Sequence, residues 1–251
     1  MIISIVTVVY NDQPGLAKTV NSVKLLDNID YEHIIVDGLS SDETAGYVNS
    51  LEGHHKYKII QEQDNGIYDA MNKGISQADG NYIIFMNAGD IFPNANCLDL
   101  ILPELNQDNV IVYGDSFEEH ANGNWVYKTA RDISKLSYGM FTHHQAIFYR
   151  RDLCKGGYDL AYEIGADYKF TASIYMDCQK YCYVKVPLCV FELGGASYKN
   201  FLKGLYDSYR VKRYVLKLGF LYSIGLCLIA FFANIFRRLS PVIYNMVRNG
   251  S

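Results

Sequence analysis

Apolar and polar positions along this chain fall into blocks that predict strands and helices in alternation over the first 90 residues. Ile2–Val9 is a β-branched apolar run of the kind that forms a strand buried on both faces. Over residues 14–26, Leu16, Val20, Val23 and Leu26 recur at helical spacing. His33–Val36 predicts a second strand, and Ser41 or Asp42 can cap a helix running to about Leu51. Lys58–Ile60 reads as a third strand, Ile67–Ala78 as a helix and Tyr82–Phe85 as a fourth strand. Strands joined through helices lie parallel, with right-handed crossovers and helices covering both sheet faces.

Beyond Asp90 the rhythm loosens. Short strands are predicted at Val110–Tyr113, Trp125–Lys128, Ala146–Tyr149 and Tyr183–Phe191, with a helix over Asp167–Tyr175. The second half is therefore expected to be mixed and partly antiparallel. Residues 200–217 carry the spacing of an amphipathic helix, and Gly219–Phe236 is a stretch without formal charge. As a helix that stretch would reach about 27 Å, slightly short of a hydrocarbon core of about 30 Å. Lys212, Arg213 and Lys217 precede it and Arg237 and Arg238 follow, where cations can snorkel or meet anionic lipid. The expectation is a tail that associates with membrane lipid, lying on the surface rather than spanning. A buried or oligomer-forming helix is the alternative.

Charge sharpens that picture. The net charge of −4 combines an acidic body with a basic tail. Residues 199–251 hold nine Lys/Arg and a lone acid, Asp207, whereas residues 1–198 hold 14 Lys/Arg and 26 acids. An acidic body without a basic, aromatic-interleaved face argues against nucleic-acid binding. The 22 Tyr suit a wet, ligand-lined or membrane-adjacent surface. The six Cys are scattered without a Cys-x-x-Cys pair, which predicts reduced cytosolic thiols rather than zinc or disulfides. Met1 leads directly into a strand, so no signal peptide is expected.

Candidate chemistry collects where the strands end. Ile84-Phe85-Met86-Asn87-Ala88-Gly89-Asp90 runs from an apolar strand to a carboxylate, and Val36-Asp37-Gly38 repeats the arrangement. In open α/β sheets ligands sit outside the carboxyl ends of the strands, so Asp37 and Asp90 face that region. Either could equally cap a turn. In Asp64-Asn65-Gly66-Ile67-Tyr68-Asp69-Ala70-Met71-Asn72-Lys73-Gly74, the residues Asp69, Asn72 and Lys73 share a helix face. Lys73 could balance a phosphate and Asn72 could bond a sugar or base. Alternatively, Asp69 and Lys73 form a surface pair worth about 0.3 kcal/mol.

Taken in order, Val6-Thr7-Val8-Val9-Tyr10-Asn11, Val36-Asp37-Gly38, Asn72-Lys73-Gly74 with Ala78-Asp79-Gly80, and Asn87-Ala88-Gly89-Asp90 resemble glycosyltransferase family 2. The likeness is strong over residues 1–95 and weaker to 198. Within the family it is similar to bacterial enzymes that assemble capsule, colanic acid and O-antigen units. The resemblance implies a GT-A fold with a mostly parallel central sheet and helices on both faces, to which the apolar pattern adds C-terminal amphipathic and hydrophobic helices. The chain is thus expected to divide into a catalytic domain, 1–198, and a basic, hydrophobic, membrane-associating helical tail, 199–251. Within the former, 1–95 would bind nucleotide-sugar and 96–198 the acceptor.

By the same resemblance Thr7 and Val9 lie along the nucleotide base, while Asp37 and Asp64 contact base or ribose. Asn72 and Lys73 join the nucleotide-sugar contacts, and Asp90 holds a divalent cation, Mg²⁺ or Mn²⁺. Asp167, in Ile164-Gly165-Ala166-Asp167-Tyr168, would be the general base, with Glu163 second; the plain alternative for Asp167 is a dipole-favoured helix cap. His143 and His144 are possible contacts to diphosphate or acceptor. Gly194-Gly195-Ala196-Ser197 would be a loop closing over the donor, or a connector.

Two departures stand out. Many relatives have a second acid where this chain has Gly38, and their metal motif carries more acids than Asn87 and Gly89 allow. Mg²⁺ usually keeps several waters, so a single carboxylate with diphosphate can still hold it. The activity implied is inverting transfer of a sugar, UDP-linked, to a polyprenyl-diphosphate-linked saccharide at the cytoplasmic face of the inner membrane. The rivals are a degenerate scaffold in a membrane assembly and a sugar nucleotidyltransferase. The latter class advertises a Gly-rich basic loop, which Tyr10-Asn11-Asp12-Gln13-Pro14 lacks. Donor sugar, linkage and oligomeric state are open at this point.

Overall fold

A computed structural model of the chain describes residues 2–26, 29–194 and 200–239, with side chains as far as 236. Its centre is an eight-stranded mixed sheet. Four parallel strands form one half: β1 (Ile3–Val9), β2 (Tyr31–Asp37), β3 (Tyr57–Gln61) and β4 (Tyr82–Phe85), in the order β3-β2-β1-β4. They alternate with α1 (Gln13–Lys24), α2 (Glu43–Ser50) and α3 (Ile67–Gln77). The apolar spacing explains α1, whose Leu16, Val20 and Val23 are buried against the sheet along with Leu26 just beyond it. Asp12 caps its first turn by accepting from the Gly15 N–H, and Asp42 caps α2 through the Thr44 N–H.

The second half adds α4 (Leu102–Leu105), β5 (Ile111–Glu119), β6 (Trp125–Lys128), β7 (Ile147–Arg150), α5 (Ala166–Asp177) and β8 (Tyr181–Glu192). β7 joins antiparallel to both β4 and β5, and β6 is antiparallel to β5. β8 runs parallel along β5, with register shifts around Asp115. The expected mixed second half is present, although β5 extends six residues past the predicted Tyr113. That extension, Gly114–Glu119, contains more polar side chains and is held by pairing with β6 and β8 rather than by apolar periodicity.

Because the parallel strands are covered on both sides, the core divides in two. Val6, Val8, Ile34, Val36 and Phe85 face α3 and α5, while Ile3, Ile5 and Ile84 face the α1 side. Two helices follow. α6 (Phe201–Arg210) ends in a π-helical turn at Val211–Val215, and α7 (Phe220–Leu239) comes after it. The predicted single helix over 200–217 is thus an α-helix and a π turn. Among the described residues, no helix is long and apolar enough to cross a membrane. Of the expected loop at 194–197, residues 195–197 lie outside the described residues.

Candidate active site

The carboxyl ends of β1 and β2 lie side by side, with Val9 paired to Asp37 and the Gly38 N–H donating to the Val9 carbonyl at 3.0 Å. Asp37 is fully buried. Its Oδ1 accepts from the backbone and hydroxyl of Ser40, at 3.0 and 2.5 Å, and its Oδ2 from Gln61 Nε2 at 3.3 Å. Two non-glycine residues here have positive φ, Asn11 in the loop after β1 at 51° and Leu39 in the loop after β2 at 60°. Asn11 is tied across to it: its N–H donates to Ser40 Oγ, and its Oδ1 accepts from the Ser41 N–H. Such conformations persist when surrounding contacts fix them.

Asp64 arrives from the segment after β3, and its Oδ1 caps the Gly66 N–H at 2.9 Å. Gly38 is explained by this neighbour. A Cβ built at position 38 would collide with Asp64 Oδ2, so the Asp64 carboxylate fills the space that a side chain at 38 would need. Val9, Asp37 and Asp64 therefore converge on one corner.

Asp90 sits in the turn after β4. Its Oδ2 accepts from Gln145 Nε2 at 2.8 Å and its Oδ1 from the Glu192 N–H at 2.9 Å, which binds the turn to the end of β8. Gly89 has φ of 95°, and a Cβ there would lie 2.6 Å from Glu192 Oε2. Burial pushes the Asp90 carboxyl up to about 7, and the Glu192 charge adds to the shift. Asn87 Oδ1, in the same turn, is buried without a hydrogen-bond partner. Among the described residues no three His, Cys, Asp or Glu cluster to hold a metal by themselves. The oxygen-only set of Asp90, Asn87 and Glu192 nevertheless fits a hard divalent cation that takes its remaining ligands from water and diphosphate.

Asp167 occupies the first turn of α5. Tyr68, from the first turn of α3, donates its hydroxyl to the Ile164 carbonyl at 2.8 Å and lies 3.5 Å from Asp167 Oδ1. Burial raises the Asp167 carboxyl to about 6. At neutral pH it is still mostly ionised, and it is a stronger base than a solvated carboxylate. Glu163 points outward, paired with Lys203 at 2.5 Å.

The other predicted site residues have protein partners of their own. Thr7 is fully buried, with its hydroxyl 2.8 Å from His33 Nε2. Asn72 holds the Tyr158 backbone through both amide atoms, at 2.6 and 2.9 Å. Lys73 reaches the Gln63 carbonyl and Glu62. His144 is buried against Phe85, bonded to Tyr158 Oη at 2.6 Å, and burial holds its imidazole down to about 3. His143 stacks on Phe191 with centroids 4.2 Å apart, and its Nε2 lies 3.2 Å from Glu118.

Three residues that sequence reasoning passed over complete the arrangement: Tyr68, Gln145 and Glu192. Glu192 ends β8 just as Asp37 ends β2, so the same rule could have found it. No periodicity marks Tyr68 or Gln145.

The family model for glycosyl transferase family 2 matches residues 4–166 of this chain. The chain belongs to glycosyl transferase family 2. It is 33% identical over 195 residues to the PGL/p-HBAD biosynthesis glycosyltransferase of Mycobacterium tuberculosis, covering 72% of this chain and 75% of that one. A shorter match, 34% over 93 residues, joins it to the undecaprenyl-phosphate 4-deoxy-4-formamido-L-arabinose transferase of Proteus mirabilis, covering 34% of this chain and 28% of that one. Among solved structures, S. aureus TarS 1–349 in complex with UDP-GlcNAc superposes with a TM-score of 0.70 at 17% identity, covering 96% of this chain and 73% of that one. The fold of this family 2 glycosyltransferase is therefore GT-A, as its sheet and strand-end acids indicate.

Proposed function

We propose that this glycosyltransferase inverts the anomeric carbon as it moves a sugar from a UDP-sugar to a lipid-linked saccharide in surface polysaccharide assembly. The observation that carries the reading is Asp167, a carboxylate whose pKa burial raises to about 6 and which lies 3.5 Å from the hydroxyl of Tyr68, on the first turn of the helix that follows Asp64. In this reading Asp37 and Asp64 bind the nucleoside while Val9 packs along it. Asp167 takes the proton from the acceptor hydroxyl as its oxygen attacks the anomeric carbon. The C–O bond to UDP breaks on the opposite face, so no covalent enzyme intermediate forms. Asp90, with Asn87 and Glu192, would hold Mg²⁺ or Mn²⁺, which neutralises charge on the diphosphate leaving group.

The lipid-linked acceptor is supported by the tail. α7 is anchored on the body through buried Ser223, Leu226 and Cys227, leaving Leu221, Ile229 and Phe232 at least 60% exposed on its other side. A helix fixed along one face and apolar on the other suits docking in the plane of a membrane surface.

The test is UDP release by detergent-purified protein from UDP-Glc, UDP-Gal, UDP-GlcNAc and UDP-GalNAc, with Mn²⁺ and then with EDTA, with and without polyprenyl-diphosphate saccharides. Metal-dependent release from one donor, abolished in Asp167→Asn with UDP binding intact, is expected. Wild-type release by Asp167→Asn would overturn the base assignment. Donor binding that needs no metal, with no release from any donor, would favour the scaffold.

A further inference from the structure

We propose that Asp207, in the helix following the catalytic sheet, is a positioning residue for the general base. The inference rests on the reading of Asp167 as that base. Asp207 is the lone acid of residues 199–251, and it is buried. Its Oδ2 accepts from the N–H groups of Ile164 and Gly165, at 3.0 and 3.1 Å, in the segment that leads into α5. A charged acceptor shared by two amides is among the stronger hydrogen-bond arrangements.

The rest of that helix face serves the same segment. Lys203, Gly204, Asp207 and Arg210 form one stripe along α6. Lys203 pairs with Glu163, and Gly204 packs on Ile164, where a Cβ would come within 3.1 Å. Arg210 Nη1 donates to the Ala161 carbonyl at 2.7 Å and to Asp207 Oδ1 at 3.3 Å, while its guanidinium lies 3.8 Å above the Tyr162 ring. Gly165 has no room for a side chain, since a Cβ would sit 2.8 Å from Asp207 Cβ. Ile164 is consequently gripped from two sides, its N–H by Asp207 and its carbonyl by Tyr68 of the donor half. Asp167 is three residues further along, so its placement depends on both grips.

Asp207 also acts on the base through its charge. The titratable groups that interact with Asp167 are Tyr68, Tyr149, Tyr158 and Asp207; burial is the main cause of its raised pKa, and the Asp207 charge adds to it. Geometry and charge therefore make separate predictions for two substitutions. Asp207→Ala removes the oxygen that accepts from both amides, whereas Asp207→Asn keeps one acceptor oxygen and removes the charge.

The experiment uses the full chain with Asp207→Ala, Asp207→Asn and Asp167→Asn in parallel. Hydrogen exchange is followed at residues 161–167, the Asp167 carboxyl is titrated by ¹³C NMR, and binding of UDP with Mn²⁺ is measured by calorimetry. Asp207→Ala is expected to speed exchange at Ile164 and Gly165 by about tenfold or more, as loss of a charged acceptor implies. UDP affinity should stay within about twofold. Asp207→Asn should protect those amides better than Ala does and lower the Asp167 midpoint. With the donor that wild type turns over, kcat should fall in Asp207→Ala at unchanged donor KM. Unchanged exchange and an unchanged Asp167 midpoint would overturn the proposal, as would a loss of UDP affinity matching the change in exchange. Wild-type turnover in Asp167→Asn would instead sink the base assignment, leaving the exchange results to be judged separately.

Discussion

Replacing Asp90 with Asn is expected to stabilise the metal-free protein at neutral and alkaline pH while abolishing metal-dependent transfer. Burial lifts the Asp90 carboxyl from its ordinary 3.8 to about 7. A raised carboxyl pKa means that the folded state binds the proton more tightly than the unfolded chain. The corresponding stability is fully present below pH 3.8 and is lost as pH rises through 7. At about 1.4 kcal/mol per pH unit, the cost of the buried charge reaches about 4 kcal/mol above pH 7. Asn at this position has the same shape and keeps its partners if the Gln145 amide turns to present its oxygen. Urea denaturation of both proteins in EDTA, from pH 4 to 8.5, reads the difference directly. The two should be similar near pH 4 and diverge through pH 7, with the variant more stable. Adding Mn²⁺ at pH 8 should raise the stability of wild type alone, because binding to the folded state adds to it. Parallel curves across the whole range would refute the argument, showing that Asp90 carries no buried-charge penalty for a cation to relieve.

Further outcomes follow from other parts of the site. Asp167→Asn should lower kcat by about 10²–10⁴ without weakening UDP binding, and wild-type kcat should fall as pH drops below about 6, where Asp167 takes up a proton; a pH–rate profile checks both. Gly38→Asp would force a second carboxylate against Asp64, so calorimetry should show UDP affinity reduced at least about tenfold. Thr7→Val leaves the buried His33 ring without its Nε2 partner, while His33 Nδ1 is already unpaired, and should cost about 1–3 kcal/mol in chemical denaturation with UDP binding unchanged. Leu221→Glu with Phe232→Glu should reduce sedimentation with phosphatidylglycerol vesicles and leave UDP binding intact.

How far the sequence could be read depends on whether the responsible interactions are local. The parallel half was legible because apolar runs such as Ile3–Val9 and the four-residue spacing of Leu16 and Val20 are imposed by burial of whole faces. The positions of Asp37 at the end of β2 and of Asp90 in the turn after β4 were legible because each carboxylate follows an apolar run. The destinations of Thr7, Asn72 and His144 were not legible. Each has a partner, His33 or Tyr158, that lies between 14 and 86 residues away. The polar end of β5 was missed for the same reason, since its pairing partners carry the order. Asp207 was visible only as an oddity of charge. Its meaning lies in two amides more than 40 residues upstream.

The pairing of Asp90 with Glu192, 102 residues apart in the chain, has a consequence for how the protein is made. As the chain leaves the ribosome, β1 to β4 can assemble their parallel core from neighbouring segments and bring Asp37 and Asp64 together. The Asp90 turn acquires its Glu192 partner only after β8 has been synthesised and has docked along β5. The grip on Ile164 waits longer still, for α6. A chain that ends before β8 lacks the Glu192 contact to Asp90, and one that ends before α6 lacks the Asp207 grip on Ile164.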